Sequence, residues 1–523
     1  MIKKLKIFSL IACYALTGCA QEKKEYYSPN YESLNTHEIP DWALDAKFGI
    51  YAHWGPYTMT GDWPDDPTYP KSGNYHTVGY RGLYQLGKKI DPRRVAFEKR
   101  YGAVKDGFGY KTLAENFTAS KFDPVAWADL VQESGAKYAG LAVVHHDGFL
   151  MWDSKETPFN AGNMGPKRDV TEELFAEFKK RNIKTMATFH HARSLEMYNK
   201  WIPTLRKNPA YKNVDLLQKE NEEYYWFLDK KTFSKKRFDI TKEFVQKYKP
   251  DCIWFDSGGV KETQEQTLAT FFNMGIDANK EVSVHNKDSQ FGKKIGLYSF
   301  ERGYKRPEFI PWPWEDDTTA SNSGSWAWWH GITYKKSSDL ILRLIHLVSH
   351  NGGLLLSLNP RPDGSFDPEM IEMLKDIGKW LKQNEESIHG SRPWEIQGEG
   401  HLGEEELRFQ WNRNMTRWAK PDVSIFDETD IRFTTKGDTL YAIQLAIPEN
   451  GITTIKSLGL NKTPKSIKSI ESISLIGNGE LEFKRTEENL EITLPSDLPN
   501  DVALVFKINI KGKLNRILHK NER

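Results

Sequence analysis

From about residue 41 onward, short apolar runs rich in β-branched and aromatic residues alternate with amphipathic segments of helical period. This alternation predicts a parallel sheet with helical crossovers, because parallel strands need long connections between them. Eight strand–helix units over about 350 residues favour a (β/α)₈ TIM-like barrel over an open sheet. The predicted strands are 47–53, 137–145, 184–190, 252–256, 281–285, 296–301, 325–328 and 353–359.

The pattern changes near Trp394. A stretch rich in Gly and Glu at 397–406 is followed by strict alternation of apolar and polar residues at 441–447 and again at 490–494. This period of two predicts a C-terminal antiparallel β-sandwich. We therefore expect a barrel over residues 41–395, a linker and β-sandwich over 396–512, and a basic tail over 513–523.

The amino terminus has the pattern of a secretory signal. Three lysines precede an apolar run at 7–16, which is too short to span a bilayer. The next residues, Leu16-Thr17-Gly18-Cys19, are similar to the bacterial lipobox, whose cysteine is lipidated. We expect a signal peptide over 1–18 and a tether over 19–40, with Cys19 anchoring an exported protein in the periplasm or outer membrane; plain secretion is the alternative.

Charge and cysteine content exclude several classes of protein. The 73 Lys and Arg nearly balance the 71 Asp and Glu, and no block of like charge interrupts the body of the chain, which argues against a nucleic-acid partner. Three cysteines cannot form a disulfide framework. No further stretch is apolar enough to span a membrane, so we expect membrane contact only through the lipid anchor.

Polar residues follow nearly every predicted strand, at the barrel face that carries active sites. Two of them, Asp256 and Glu301, are carboxylates separated by one intervening strand, an arrangement that suggests a retaining glycosidase. Tryptophans near strand ends could pack on a sugar or belong to the core. The other candidates for substrate binding are His53, Trp54, His145, His146, Trp152, His190, His191 and Trp326.

Zinc is the alternative use of these histidines, together with Asp147. Successive residues of a strand point to opposite faces, so His145 and His146 can both face inward only if the strand has ended. No His-x-His or His-Glu-x-x-His spacing occurs. We therefore predict no metal and no cofactor, and neutral histidines that hydrogen-bond sugar hydroxyls.

With these motifs the sequence resembles the α-L-fucosidases of glycoside hydrolase family 29, over nearly the whole chain after the signal. The His-His-Asp-Gly-Phe and Trp-Phe-Asp phrases are the most specific. The matching segments are 46–50, 53–55, 135–138, 145–149, 152–154, 165–169, 253–256, 352–353, 359–360, 430–434 and 437–438.

The resemblance implies a retaining exo-α-L-glycosidase that hydrolyses terminal α-L-fucosyl residues through a covalent glycosyl-enzyme intermediate. Asp256 matches the family's nucleophile. The acid/base position varies in the family, so Glu301 is chosen by order and spacing, Glu315 is the reserve and Glu308 a third candidate. His53, His145 and His146 match histidines that bind the sugar hydroxyls, and Trp152 lies in the matching pocket segment.

Three departures from the family concern the substrate. Asn74-Tyr75-His76 stands near the usual Glu-Trp-Tyr, His190–Arg193 replaces paired tyrosines, and His285-Asn286-Lys287 replaces Asn-Asp-Arg. L-Fucose is 6-deoxy-L-galactose, and a more polar, cationic pocket suits a 6-hydroxyl. The first alternative is therefore an α-L-galactosidase acting on algal galactan oligosaccharides, in which His190, His191 or Arg193 would bind the 6-hydroxyl. The second alternative is a non-catalytic carbohydrate-binding lipoprotein, which would be expected to lack the carboxylates.

Overall fold

The structure is a computed structural model of the whole chain. It describes residues 25–61, 82–86, 90–225, 229–256, 263–287, 289–292, 294–302, 312–401 and 426–516. The predicted signal peptide, Cys19, the 74–76 segment, Glu308 and the end of the basic tail lie outside the described residues.

Eight parallel strands close into a barrel in which β1 pairs with both β2 and β8. The predicted fold class is therefore confirmed, and seven of the eight predicted strands overlap observed ones. The strands consist of buried runs, as expected for a parallel sheet covered by helices. They are β1 (Phe48–Ala52), β2 (Tyr138–Val144), β3 (Lys184–Phe189), β4 (Cys252–Phe255), β5 (Ser283–Lys287), β6 (Leu297–Glu301), β7 (Trp314–Thr319) and β8 (Leu354–Leu358).

The prediction of the seventh strand at 325–328 is wrong. The strand that fills this place, β7, carries three consecutive acidic residues at 315–317, all of them buried. An apolar run was the criterion for a strand, so the sequence pattern passed over this segment. Polar partners from other elements reduce the cost of burying these carboxyl groups. The partners are Tyr138 and His285 for Glu315, Arg343 for Asp316, and Tyr51 for Asp317.

Helices pack outside the barrel, and their starts follow the sequence signals. The Asp123 carboxylate caps the helix that begins at Pro124, and Asp169 accepts a hydrogen bond from the Glu172 amide. The described helices are α1 (Tyr31–Leu34), α2 (Asp41–Ala46), α3 (Pro92–Tyr101), α4 (Tyr110–Asn116), α5 (Pro124–Glu133), α6 (Val170–Lys180), α7 (Ser194–Asn199), α8 (Ile202–Arg206), α9 (Glu222–Tyr225), α10 (Lys230–Tyr248), α11 (Gln264–Asp277), α12 (Ser337–Ser349) and α13 (Pro368–Ile388).

Residues 25–40, which were expected to form part of a tether, instead pack along α11; we call them the N-terminal strap. The Tyr27 amide donates to the Asn273 side chain (2.7 Å), and the His37 ring stacks on Phe272 with 3.7 Å between ring centroids. Leu34 is completely buried. The tether prediction therefore fails for this segment, because its aromatic and apolar side chains are buried against the barrel.

The C-terminal part forms two antiparallel sheets that share one apolar core, as predicted for a β-sandwich. Its first strand, Arg392–Glu399, lies across the predicted boundary at 395 and part of the predicted linker. The sheet domain therefore begins soon after α13 ends at Ile388. The strands are β9 (Arg392–Glu399), β10 (Ile431–Lys436), β11 (Thr439–Gln444), β12 (Ile452–Ile455), β13 (Ile467–Leu475), β14 (Gly479–Glu480), β15 (Phe483–Arg485), β16 (Leu490–Thr493) and β17 (Leu504–Gly512).

The larger sheet has the order β14-β13-β17-β11-β10-β9, and the smaller one β12-β16-β15. β9 contacts α12 of the barrel, and β10 contacts both α12 and α13. Among the helices that the structure describes, none has both the length and the hydrophobicity needed to cross a bilayer.

Candidate active site

Asp256 lies at the carboxyl end of β4, immediately after the buried run that forms this strand. Its backbone amide donates to the Phe189 carbonyl of β3 (3.0 Å), which continues the parallel ladder by one residue. The side chain is 12% exposed. The carboxylate is therefore held on a rigid strand end at the barrel mouth, where the sequence analysis placed it.

Lys287, the last residue of β5, joins the two predicted catalytic carboxylates. Its Nζ donates to Asp256 Oδ1 at 2.5 Å and to Glu301 Oε2 at 2.9 Å. The Lys287 side chain is 10% exposed, whereas Glu301 is 42% exposed and faces the entrance. In the sequence, Lys287 stood out only as part of a substituted triplet, although its position at the end of a strand is the signal that it belongs to the site.

The charge state of Asp256 follows from these contacts. Burial alone favours the neutral acid, but the Lys287 ammonium and the His146 hydrogen bond outweigh it and hold the pKa of Asp256 well below its usual range. Burial likewise opposes a charge on Lys287, and the Asp256 and Glu301 carboxylates reverse this by raising its pKa. The site therefore contains an ionised carboxylate with a permanent cation beside it.

Three buried histidines at the ends of β1, β2 and β3 form a group that we call the histidine cluster: His53, His145 and His190. Their ring centroids lie 4.9 to 5.5 Å apart. His146 also reaches the site, with its Nε2 3.3 Å from Asp256 Oδ2. Both His145 and His146 contribute because β2 has already ended at Val144, as the sequence analysis required.

Hydroxyl groups hold two of these rings. His53 Nδ1 hydrogen-bonds with Ser357 Oγ (2.8 Å), and His190 Nε2 hydrogen-bonds with Thr188 Oγ1 (3.1 Å). Burial and the neighbouring His190 lower the pKa of His53 well below its ordinary value, so this ring is neutral. A neutral imidazole offers one donor and one acceptor, which suits the paired functions of a sugar hydroxyl.

Aromatic rings border the histidine cluster. The Trp326 indole lies against His53 with 5.2 Å between centroids, and Tyr57 lies against His145 at 4.5 Å. Of the three tryptophans predicted to bind substrate, Trp326 is the one that the structure brings to the cluster. An indole beside polar rings offers the apolar C–H face of a sugar a surface to pack on.

The other two predicted tryptophans lie in the hydrophobic core. Trp54 is 1% exposed, packs on Trp127, and donates its indole N–H to the Arg361 carbonyl. Trp152 is completely buried against Phe244. The rings of both tryptophans therefore pack among core residues rather than against the rings of the histidine cluster.

His191 is not part of the cluster either. It begins a short 3₁₀ turn after β3, where its ring lies against Phe189 of the same strand. Burial and the Arg237 charge lower the pKa of His191 well below its ordinary value. The structure thus separates two adjacent histidines that the sequence pattern could not distinguish.

Glu315, the reserve acid/base, lies inside the barrel below the mouth. It is paired in register with Ser299, two residues before Glu301 on β6. It is completely buried and accepts a hydrogen bond from the Tyr138 hydroxyl (2.7 Å), while His285 Nδ1 lies 2.9 Å away. A carboxyl group in this position cannot reach a glycosidic oxygen at the mouth, whereas Glu301 lies at the mouth and Glu308 lies outside the described residues.

Asp147 supports the turn that carries His145 and His146. Its carboxylate accepts hydrogen bonds from the Tyr110 hydroxyl (2.5 Å) and the Phe149 amide (3.1 Å). Burial raises the pKa of Asp147 to about 7. From the sequence, Asp147 was a candidate metal ligand; in the structure it fixes the loop beneath the histidines.

A parallel eight-stranded barrel with two carboxylates and a cluster of buried histidines at its mouth defines the class of barrel glycoside hydrolases. Within that class, the chain belongs to the α-L-fucosidase family. The family model described as Alpha-L-fucosidase matches residues 14–386, and the model described as Alpha-L-fucosidase C-terminal domain matches 426–509. The resemblance predicted from the sequence is confirmed.

Characterised relatives agree over nearly the full length. The tissue α-L-fucosidase of Rattus norvegicus is 30% identical over 487 residues, covering 90% of this chain and 89% of the relative. That of Homo sapiens is 29% identical over 500 residues, covering 93% and 91%. The structure of Thermotoga maritima α-fucosidase in complex with fucose is 25% identical, with a TM-score of 0.69 over 92% of this chain and 99% of that one. The protein is therefore a glycoside hydrolase of the α-L-fucosidase type rather than a non-catalytic binding protein.

Proposed function

We propose that this enzyme removes terminal α-L-fucosyl residues from oligosaccharides with retention of configuration, using Asp256 as nucleophile and Glu301 as acid/base. The observation that carries the proposal is the shared contact with Lys287. Because one nitrogen contacts both groups, the two contacting oxygens lie at most about 5.4 Å apart, which suits the 5–5.5 Å of retaining enzymes rather than the longer separation of inverting ones.

In the first step, an Asp256 oxygen forms a bond to the anomeric carbon while the glycosidic C–O bond breaks. The leaving oxygen takes a proton from Glu301. In the second step, Glu301 accepts a proton from water, whose oxygen bonds to the anomeric carbon and releases Asp256. The partial exposure of Glu301 supports this role, because the same group must meet both the aglycone and incoming water.

Lys287 places a condition on the first step. Glu301 must carry a proton to act as an acid, and a proton removes most of its attraction to the Lys287 ammonium. The contact between Lys287 and Glu301 therefore loosens when the aglycone is bound, while the contact with Asp256 persists. The histidine cluster, His146 and Trp326 are our candidates for binding the sugar.

Chemical rescue tests the nucleophile. Asp256→Asn should abolish turnover. Azide should restore activity to Asp256→Gly, because it can attack the anomeric carbon from the side where the carboxylate was removed, giving the β-L-fucosyl azide. NMR of the wild-type reaction should show α-L-fucose as the first product. Near wild-type kcat in Asp256→Asn contradicts the assignment of the nucleophile, and β-L-fucose as the first product contradicts retention.

An α-L-galactosidase of the same mechanism is the second candidate. It is favoured by His190, which lies 3.9 Å from Asp256 Oδ2 and gives the pocket a polar group. His191, turned into the interior, is no longer a candidate partner for a 6-hydroxyl. If His190 has this role, kcat/KM on an aryl α-L-galactoside should exceed that on the fucoside, and His190→Phe should reverse the order by about tenfold or more. A large fucoside preference in the wild type excludes this candidate.

A further inference from the structure

The histidine cluster has the composition of a metal site as well as that of a sugar pocket. One ring nitrogen from each of His53, His145 and His190 can be chosen so that all three lie within 4.8 Å of one another. All three residues are buried. Three imidazoles that converge from three different strands form the donor set that zinc takes in open, three-ligand sites.

The surroundings of the rings also suit a metal. Histidines that ligate zinc usually engage their second nitrogen with another protein group, which fixes the ring orientation. Ser357 Oγ does so for His53, and Thr188 Oγ1 for His190. Asp256 Oδ2 lies 3.9 Å from His190 Nδ1 and supplies a negative charge at the edge of the group.

The fit requires only small movements. For three nitrogens 4.8 Å apart, a central ion lies about 2.8 Å from each, so each ring must move inward by roughly 0.7 Å to reach a normal zinc–nitrogen distance. The Lys287 charge on the far side of Asp256 opposes the ion and limits its affinity.

We propose that the histidine cluster binds a divalent transition-metal ion of the zinc type, which occupies the sugar pocket and inhibits the enzyme by competing with substrate. The ion is an inhibitor and takes no part in catalysis. Binding of the ion does not depend on the proposed function, whereas its inhibitory effect rests on it. The expected inhibition is reversible, because the ligands that the described residues offer are three neutral side chains and, at the edge of the group, Asp256.

Calorimetric titration of the chelator-treated protein with zinc chloride at neutral pH tests the binding. A second grouping of His401, Asp427 and Asp430 lies in the sheet domain, so the titration uses a His401→Gln background. We expect one zinc ion per chain in this background. His53→Gln and His190→Gln should abolish this binding, and Ser357→Ala should weaken it about tenfold or more. His330→Gln, which changes an exposed histidine outside the cluster, is the matched control and should bind as its parent does.

Kinetics test the competition. With an aryl glycoside, roughly 100 µM zinc should raise the apparent KM about tenfold at constant kcat, and chelator should reverse the effect. The His401→Gln variant should be inhibited as strongly as the wild type. Loss of zinc binding in His401→Gln, unchanged binding in the cluster variants, or inhibition that lowers kcat at constant KM overturns the proposal. A chain that binds zinc as expected but hydrolyses neither sugar overturns the proposed function alone.

Discussion

One ammonium group, that of Lys287, contacts both carboxylates to which we assign the chemistry. It favours the ionised form of Asp256 before substrate arrives, when the carboxylate must be ready to attack. It also limits the distance between the two groups. A lysine serves here as a compact point charge, unlike the planar, forked guanidinium of an arginine.

Replacing Lys287 by methionine should therefore shift the acidic limb of the pH profile. Without the cation, burial dominates and the pKa of Asp256 rises, so the ionised nucleophile forms only at higher pH. We expect the acidic limb of kcat/KM to move upward by about 1 to 3 pH units. Lys287→Arg, which retains the charge, should leave the limb close to its original position. An unchanged limb in Lys287→Met contradicts the assigned role.

Glu301→Gln should separate substrates by their leaving groups. An acid catalyst matters most where the departing oxygen is basic, so kcat/KM on natural oligosaccharides should fall by about 10² to 10⁴. Activated aryl glycosides should be affected far less in the glycosylation step. Equal losses on both kinds of substrate contradict the assignment of Glu301. Glu315→Gln, which alters a buried group below the mouth, is the comparison and should not show this dependence on the leaving group.

At this scale the sequence predicted the position of Asp256 well, because a lone carboxylate at the end of an apolar run has few other uses. It could not separate His190 from His191, or Trp326 from Trp54. Which of two neighbouring side chains faces the pocket depends on how the backbone turns after the strand ends. The folded chain shows the outcome, since the His191 ring lies against Phe189 while His190 joins the cluster.

At the scale of elements, β7 shows what an apolar pattern misses. The strand is buried although half of its residues are acidic, because other elements supply the partners that its carboxyl groups need. Arg343 comes from α12 and donates its Nε–H to Asp316 Oδ2 at 2.5 Å. Such long-range compensation leaves no local signature in the sequence, whereas the remaining strands, with their apolar runs, were found.

The Asp316–Arg343 pair should be strongly coupled in stability. Arg343→Met leaves the Asp316 carboxylate buried without its cation and should lower the free energy of unfolding by about 3 to 5 kcal/mol. The double variant Asp316→Leu/Arg343→Met should recover most of this loss, because no charge remains to be solvated. Urea denaturation followed by fluorescence measures the free energy of unfolding of the single and the double variant. Additive losses in the double variant contradict the coupling.

At the scale of the whole molecule, the barrel and the sheet domain pack against each other, whereas the sequence suggested only a linker between them. β9 contacts α12, β10 contacts both α12 and α13, and Arg432 of β10 donates to the His346 side chain of α12 (3.1 Å). The apolar core of the barrel extends to Tyr441 and Val505 in the sheet domain. The fold class was predictable from its alternating periods, but this interface was not, since it depends on which helix faces meet the sheet.

We further propose that the chain is exported and lipidated at Cys19, as its lipobox-like segment suggests. In a bacterial host that processes lipoproteins, the wild type should then sediment with the membrane fraction and incorporate labelled palmitate. Cys19→Ser should lose the label, because it removes the thiol that is modified. Activity of the detergent-solubilised wild type is the control for intact folding. A wild-type protein that is wholly released without label contradicts the anchor.

If Cys19 is lipidated, the N-terminal strap would determine which face of the barrel lies toward the membrane. The Tyr26 hydroxyl donates to the Asp277 carboxylate (2.7 Å), and Asp277 is the last residue of α11. Crossover helices of a barrel run opposite to its strands, so α11 ends at the amino-terminal face, away from the catalytic mouth. Residues 20–24 can extend over roughly 20 Å at most. A lipid at Cys19 would thus hold the floor of the barrel close to the bilayer and direct the pocket outward, toward glycans that arrive from the medium.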